Sequence, residues 1–156
     1  MKKITLLLVV VLVLSAFMSG CGGDTSSEEG ALPETIKIGV FEPLTGANAA
    51  GGELEKLGID LAHELYPNVT IDGKEIPVEL KYVDNKSDKI ESANAARNLV
   101  DDFGAHIVLG SWGSSNSIAA GPTFQEAEVP AIGTSCTNPL VTLGNEYYFR
   151  VCFIDP

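Results

Sequence analysis

Residues 35–151 alternate between short strand patterns and longer helix patterns, an order that few folds can accommodate. Residues 35–41 and 76–83 place β-branched or aliphatic residues at every second position, which predicts strands with two different faces. The continuously apolar stretch at 106–109 is typical of a strand covered on both faces. Five strands are predicted in all, at residues 35–41, 76–83, 106–109, 129–132 and 147–151.

Helix patterns separate the first four of these strands. From Glu53 onward the apolar residues recur with helical spacing, which predicts a buried face of Leu54, Leu57, Gly58, Leu61, Ala62 and Leu65. A second helix begins at an N-cap box formed by Asp88 and Glu91 and ends before Gly104. Its predicted buried residues are Ile90, Ala93, Ala96, Val100 and Phe103.

A third helix is predicted over residues 115–126, with Gly121 and Pro122 inside it. Strands that alternate with helices of this length form a parallel sheet with helices on both faces. The sequence therefore predicts an α/β fold, a three-layer sandwich with a doubly wound parallel sheet.

The first twenty residues have the features of an export signal. Lys2 and Lys3 precede an apolar run from Ile4 to Phe17, which is shorter than the roughly 20 residues that a membrane-spanning helix needs. The sequence before Cys21 resembles the bacterial lipobox, with Met18 where that pattern usually has Leu. The resemblance implies a signal peptide at 1–20, cleavage before Cys21, and lipidation of that cysteine, which anchors the protein to the outer face of the membrane. An ordinary signal peptide with a chance cysteine is the alternative.

Residues 21–34 are rich in Gly, Ser, Thr, Asp and Glu and predict a flexible tether. Residues 35–156 form the predicted domain, and we expect them to be part of a longer protein because no closing element follows the last strand. The net charge of −11 becomes about −13 without Lys2 and Lys3. An acidic chain without a basic patch repels phosphate backbones, so nucleic acid is not an expected partner.

Ligands of open α/β sheets bind beyond the carboxyl ends of the strands. The loop after the third predicted strand, residues 110–117, contains four serines and Trp112 and leads into a helix. The first N–H groups of a helix have no internal partner and lie at the positive end of its dipole, which suits a carboxylate. The alternative is that Ser114 or Ser115 only caps the helix.

The loop after the fourth predicted strand, residues 133–139, offers carbonyl groups and threonine hydroxyls, which suit an ammonium group. Anion donors on one loop and ammonium acceptors on the next would together bind a zwitterion such as an amino acid. The same residue types are also common in plain turns.

An ordered set of segments resembles the N-terminal lobe of bacterial solute-binding proteins of ABC importers, in the leucine/isoleucine/valine-binding family. These segments cover nearly all of residues 35–156. They are Ile36–Val40, Pro43–Gly46, Tyr82–Asp84, Leu109–Ser111, Ser114–Ser115, Val129–Ile132, Thr137–Pro139 and Tyr148–Arg150.

The resemblance implies one incomplete lobe of a two-lobed flytrap that closes on its ligand and docks on a membrane permease. By position, Ser114 would hold the ligand carboxylate, Trp112 would line the pocket, and the Ser135 backbone and Thr137 hydroxyl would take the ammonium. The family's usual aromatic residue in the first loop is replaced by residues 50–52, Ala-Gly-Gly. The acidic residue that completes the ammonium site is expected in the second lobe. No cofactor is implied.

Two other functions remain open at this stage. A regulatory receptor could use the same fold to sense amides or amino acids. A serine hydrolase could use Ser114 as its nucleophile, although the Gly-x-Ser-x-Gly pattern is absent. His63 is expected on a solvated helix face and His106 at the start of a strand, both structural, and the scattered histidines give no metal ligand set.

Cysteine usage fits an exported protein. Setting Cys21 aside leaves Cys136 and Cys152, an even pair on neighbouring predicted segments. A disulfide between them is feasible, and two unpaired buried thiols are the alternative.

Overall fold

A single mixed sheet organises the described part of the chain. In the computed structural model, which describes residues 32–156, the strand order is β2-β3-β1-β4-β5-β6, and every pair except β2–β3 is parallel. The strands are β1 (Ile36–Glu42), β2 (Asn68–Ile71), β3 (Lys74–Asp84), β4 (Ile107–Leu109), β5 (Ala131–Gly133) and β6 (Tyr148–Arg150).

Three helices connect these strands. They are α1 (Ala49–Leu65), α2 (Lys89–Arg97) and α3 (Ser114–Glu126). A π-helical turn at Asn98–Asp102 continues α2, and a 3₁₀ turn at Pro139–Val141 precedes β6. Asp88 caps α2 as predicted, because its carboxylate accepts hydrogen bonds from the backbone N–H groups of Ile90 and Glu91.

The predicted α/β class with a parallel sheet is confirmed, with one addition. Strand β2 was not predicted, and it pairs antiparallel with β3 at the edge of the sheet. Asp72 and Gly73, both with positive φ, form the two-residue turn between them. The turn was evident from the sequence, but the stretch before it is only four residues long and largely exposed, and its short polar–apolar alternation was not assigned to a strand.

The main core lies between the sheet and helices α2 and α3. Phe41, Phe124 and Tyr148 pack edge to face in a row across it, with centroid distances of 5.4 and 6.0 Å. Leu99 from the π-helical turn and Val108 from β4 are fully buried beside them. This core anchors the carboxyl ends of β1, β4 and β5.

The predicted buried face of α2 is wrong in part. Ala96 and Phe103 are buried as expected, but Ile90 is 72 % exposed. Ser92, Ala95 and Leu99 take the inward positions instead. The inward positions keep helical spacing, but they begin at the polar Ser92, so a search for apolar residues started the buried face at Ile90 instead.

The predicted buried face of α1 is also wrong. Leu54, Leu57, Leu61 and Leu65 are 56–70 % exposed, and the opposite side of the helix faces the sheet. Polar contacts fix this rotation: Glu55 accepts the Thr134 and Ser135 hydroxyls, and the His63 ring lies 3.0 Å from the Val78 carbonyl oxygen. His63 therefore does not lie on the solvated face that was expected for it.

The predicted signal peptide (1–20), Cys21 and most of the predicted tether (21–34) lie outside the described residues. Within residues 32–156, no helix combines the length and the apolar character needed to cross a bilayer.

Candidate functional site

Three loops meet at one edge of the sheet: the loop after β1 and the two loops that the sequence predicts to hold a ligand. β1 pairs with β4 and β4 pairs with β5, all parallel, so their carboxyl ends are adjacent. The loops after these strands, together with the N-termini of α1 and α3, form the edge that we call the ligand edge. Its residues are 43–52, 110–115 and 134–138.

Asp84 holds the first loop in place. Its carboxylate accepts hydrogen bonds from the backbone N–H groups of Leu44, Thr45 and Lys86 and from the Thr45 hydroxyl, at 2.6–3.2 Å. Partial burial opposes ionisation, but these hydrogen bonds together outweigh it and lower the pKa of Asp84. Asp84 is therefore an ionised anchor for the loop rather than a group that reaches a ligand.

Two of the four serines in the second loop are structural. Ser111 and Ser117 are fully buried; the Ser111 N–H donates to the Ser117 hydroxyl at 3.1 Å, and Asn85 donates to the Ser111 hydroxyl at 2.9 Å. These bonds fix the backbone between β4 and α3. Only Ser114 and Ser115 remain at the surface of the ligand edge.

Ser114 does not cap α3. The N-cap residue is Gly113, without a side-chain capping bond, and the Ser114 hydroxyl instead accepts a hydrogen bond from the Asn138 N–H at 3.2 Å. Ser114 thus joins the loop at the N-terminus of α3 to the loop that follows β5. The uncapped first turn of this 13-residue helix leaves backbone donors at the ligand edge.

Trp112 lies partly open at the same edge, 41 % exposed. Its ring packs directly on Gly51 in the first turns of α1, where an added Cβ would collide with the indole. The two glycines therefore have packing reasons: Gly51 allows the indole to lie over the helix, and Gly52 allows the close approach of Pro43.

The third loop is held by Arg150 from β6. The guanidinium donates to the carbonyl groups of Cys136, Thr137, Asn138 and Pro139 at 3.0–3.2 Å. The Ser135 carbonyl is not among these acceptors. The Thr137 hydroxyl donates to Asp155 at 2.8 Å, which leaves its oxygen lone pairs able to accept a further hydrogen bond.

A pair of glutamates lies beneath these loops. Glu42 ends β1 and is fully buried, and its Oε2 accepts a hydrogen bond from the Trp112 N–H at 2.7 Å. Glu55 on α1 accepts the hydroxyls of Thr134 and Ser135. Burial first, and then the hydrogen-bonding and charge effects of Glu55, raise the pKa of Glu42 to about 10, while the hydrogen bond from the Trp112 N–H acts to lower it.

Other candidate chemistry is weaker. Among residues 32–156, no three His, Cys, Asp or Glu side chains converge as metal ligands. His106 accepts a hydrogen bond from the Lys37 N–H through Nδ1, which fits a structural role. Cys136 is buried and Cys152 half-buried, and both thiols are free in the structure, so the disulfide stays a prediction.

The structure thus brings Trp112, Ser114, Ser135 and Thr137 to one edge, and it adds four residues that sequence reasoning did not assign to the site. These are Glu42, Glu55, Asp84 and Arg150. Glu42, Asp84 and Arg150 each end a strand, where charge is exceptional in a parallel sheet, and that position could have identified them. No comparable sequence pattern could have identified Glu55.

A scan against protein-family models matches residues 35–154 to the family described as "Periplasmic binding protein". An "Amino acid binding protein" of Pseudomonas aeruginosa is 36 % identical over 122 residues, which are 77 % of this chain and 32 % of that protein. The chain therefore spans about a third of the length of the relative it matches.

The chain also resembles solved structures of ligand-binding proteins in both sequence and fold. A leucine-binding protein, LivK, from Thermotoga maritima is 39 % identical with a TM-score of 0.73, covering 78 % of this chain and 34 % of that one. LivJ from Streptococcus pneumoniae, in complex with isoleucine, is 34 % identical with a TM-score of 0.70, covering 77 % and 34 %. A Rhodopseudomonas palustris solute-binding protein in complex with 4-hydroxybenzoate is 28 % identical with a TM-score of 0.69, covering 77 % and 32 %.

Proposed function

Because the chain belongs to the periplasmic binding protein family, we propose that it is the amino-acid-binding lobe of an extracytoplasmic solute-binding protein serving an ABC importer. The observation that carries the proposal is the bond between Ser114 and Asn138. It holds donors for a carboxylate and acceptors for an ammonium group side by side. A second lobe would close over this edge, and the closed form would dock on a membrane permease.

The ligand carboxylate is assigned to the N-terminus of α3. The Ser114 hydroxyl can donate a hydrogen bond while it accepts one from Asn138, and the first N–H groups of the helix lie beside it. The exposed indole of Trp112 gives the ligand side chain an apolar surface nearby.

The ligand ammonium is assigned to the Ser135 carbonyl and the Thr137 hydroxyl. Asp155 contacts Thr137, and Glu55 contacts Ser135, so two carboxylates flank this position. Negative charge here favours a ligand that carries a cation. It therefore supports an α-amino acid over a plain aromatic acid such as the 4-hydroxybenzoate held by one structural neighbour.

Calorimetry of the full-length protein against the twenty amino acids and 4-hydroxybenzoate tests this proposal. We expect at least one amino acid to bind and Ser114→Ala to weaken it by roughly tenfold, the effect of losing one hydrogen bond to a charged group. Ser115→Ala is the matched control, because Ser115 is exposed on the same helical turn. Binding of the aromatic acid alone, or equal effects of the two substitutions, would contradict the proposal.

An amino-acid or amide sensor on the same fold remains the second candidate, since the ligand edge would serve both roles. Gene neighbours separate the two: permease and ATPase genes indicate import, whereas a kinase gene or an amidase operon indicates sensing. A hydrolase is not supported by the geometry. Within residues 32–156, His63 contacts the Val78 carbonyl and His106 the Lys37 N–H, and neither contacts Ser114.

Export and lipid anchoring complete the proposal, on the strength of the sequence before Cys21. A lipidated Cys21 and a flexible tether would keep the protein close to its permease at the outer face of the membrane. Metabolic labelling with a fatty acid should mark the wild-type protein and not Cys21→Ser. Label on the Ser variant, or on neither protein, would refute the anchor.

A further inference from the structure

A cavity of about 440 Å³ lies between helix α1 and the sheet, on the face opposite the main core. Aliphatic side chains from three adjacent strands form its floor: Ile38, Val78, Leu80 and Leu109. Gly58, Ile59 and Ala62 of α1 form its roof. A volume between roughly 300 and 1,000 Å³ with mainly apolar walls is typical of small-molecule sites.

Two further observations show that α1 does not pack tightly on the sheet here. A Cβ added at Gly58 would have no heavy atom within 4 Å. Leu109 is half-buried, whereas its neighbour Val108, on the opposite face of the same strand, is fully buried. Since β4 is an inner strand of the sheet, the difference between the two residues reflects incomplete cover on the α1 side.

Polar contacts on both sides of the cavity hold α1 above this space. On one side, Glu55 accepts the two hydroxyls of the third loop. On the other side, the Tyr82 hydroxyl donates to Asp60 at 2.6 Å, and the His63 ring lies 3.0 Å from the Val78 carbonyl oxygen. Because both sides are fixed, α1 does not settle onto the aliphatic floor, and the volume is retained.

The polar side chains that line the cavity are engaged with protein partners. The Thr134 hydroxyl donates to Glu55, and the His63 ring is bonded to the backbone of β3. A buried water needs two to four polar partners, and aliphatic walls supply none. The cavity therefore favours an apolar occupant over water.

Size and charge restrict that occupant further. At the ~30 Å³ that one water-sized atom occupies in a liquid, the cavity has room for roughly 15 heavy atoms. This fits a bicyclic aromatic molecule but not a helix of a partner protein. A charge buried against the aliphatic floor would be costly, and Glu55 on the wall of an already acidic chain opposes an anion in particular.

We propose that this cavity is a binding site for a small, uncharged aromatic or aliphatic molecule, separate from the ligand edge. Helix α1 belongs to both sites, because its N-terminus lies at the ligand edge and its inner side is the roof of the cavity. The inference does not depend on the proposed function.

Methyl NMR of the full-length protein tests the site, with 2-naphthol as the probe. The methyl resonances of Ile38, Ile59 and Leu109 should shift on titration, while those of Val108, on the opposite face of the sheet, should not. We expect a dissociation constant on the order of 100 μM. Absence of shifts at the three cavity residues would overturn the proposal.

The anion 2-naphthoate has the same ring system and isolates the effect of charge. Measured at the same cavity methyl groups, it should bind at least roughly tenfold more weakly than 2-naphthol. Shifts elsewhere, such as at the ligand edge, do not enter this comparison. Equal affinities of the two probes at the cavity would contradict an uncharged occupant.

Two substitutions should block the cavity from its roof. Ala62→Phe and Gly58→Leu extend side chains at lining positions, and each should weaken 2-naphthol binding by at least roughly tenfold. Leu61→Phe is the matched control, because Leu61 is exposed on the side of α1 that faces away from the sheet. Circular dichroism checks that all three variants fold. Unchanged binding in both blocking variants, or an equal loss in Leu61→Phe, would overturn the proposal.

The outcomes also separate this inference from the proposed function. If amino acids bind and 2-naphthol does not, the cavity site alone fails. If 2-naphthol shifts the cavity methyl groups and no amino acid binds, the cavity site is supported and the proposed function fails.

Discussion

Thr137 and Asp155 are joined by two hydrogen bonds in opposite directions. The Thr137 hydroxyl donates to the Asp155 carboxylate at 2.8 Å, and the Asp155 N–H donates to the Thr137 carbonyl at 3.0 Å. The segment after β6 is thereby fastened to the loop assigned to the ligand ammonium. An acid within this lobe therefore orients the hydroxyl that we propose as an acceptor for the ligand ammonium.

Asp155→Asn should weaken amino-acid binding by roughly fivefold, because the amide keeps a hydrogen-bond acceptor but removes the negative charge near the ammonium. Calorimetry of the full-length protein measures the effect. Asp72→Asn, in the hairpin turn between β2 and β3, is the control and should leave affinity unchanged. Equal affinities of wild type and Asp155→Asn would place the ammonium elsewhere.

Arg150→Lys should destabilise the third loop. The planar guanidinium bonds four carbonyl groups and the Thr142 hydroxyl, which a lysine ammonium with three donors cannot reproduce. We expect the free energy of unfolding to fall by roughly 2 kcal/mol. We expect the ligand affinity to fall by a larger fraction of its wild-type value. Urea unfolding measures the first quantity and calorimetry the second. Arg97→Lys, on the exposed side of α2, should change neither by a measurable amount, and the same small effect at Arg150 would refute its role.

The stability of the protein should decrease as the pH rises above 4.5. The folded state raises the pKa of Glu42 from 4.5 to about 10, so it keeps a proton that the unfolded chain releases. The contribution of this retained proton to the free energy of unfolding is complete below pH 4.5. It declines as the pH rises toward the folded-state pKa of Glu42. Between pH 4.5 and 7 this single group would reduce the free energy of unfolding by at most roughly 3 kcal/mol.

Urea unfolding at pH 5, 6, 7 and 8 checks that decline. Glu42→Gln has no proton to retain, so its stability should exceed that of the wild type by a margin that widens with pH. Glu53→Gln should follow the wild-type curve. A constant margin for Glu42→Gln would mean that Glu42 ionises normally in the folded protein.

Two glycines of α1 should respond oppositely to alanine. At Gly51 an added Cβ would collide with Trp112, whereas at Gly58 there is open space. Gly58→Ala should stabilise the protein by about 0.5–1 kcal/mol through lower chain entropy in the unfolded state. Gly51→Ala should displace the indole and change the fluorescence of the single tryptophan. Identical spectra for the two variants would show that the indole does not depend on Gly51.

The predicted disulfide can be tested by counting thiols. In the exported protein, unfolded without reductant, Cys136 and Cys152 should both be unreactive, and Cys152→Ser should expose one thiol. A closed ring of about 15 residues would stabilise the fold by roughly 3 kcal/mol. Two reactive thiols in the wild type would instead match the free cysteines of the structure.

The five parallel strands, the three helices and the placement of Trp112, Ser114, Ser135 and Thr137 at one edge were accessible from the sequence, whereas strand β2 was not. The elements were accessible because hydrophobic periodicity and turn residues are local sequence patterns. The placement of the four residues follows because parallel strands bring their carboxyl ends to the same edge of the sheet. The rotation of α1 was not accessible, because the contacts of Glu55 and His63 with distant residues outweigh the leucine periodicity.

The burial of Glu42 could not be predicted from the sequence either. The position of Glu42 at the end of a strand marks it as unusual, but its full burial is not a local pattern, since its environment is formed by Trp112 and Glu55 from other elements. Pairing between residues far apart in the chain depends on tertiary structure. The same holds for Arg150, whose carbonyl acceptors lie in a loop 11–14 residues away.

The leucine stripe of α1 has a consequence for the solution behaviour of this chain. Leu54, Leu57, Leu61 and Leu65 lie in water along one side of a 17-residue helix, on a protein of net charge −11. At low ionic strength, electrostatic repulsion between the negatively charged copies keeps them apart. Salt screens this repulsion but does not weaken the hydrophobic attraction between their exposed leucines. Colloidal stability should therefore decline with added salt and be greatest in dilute low-salt buffer.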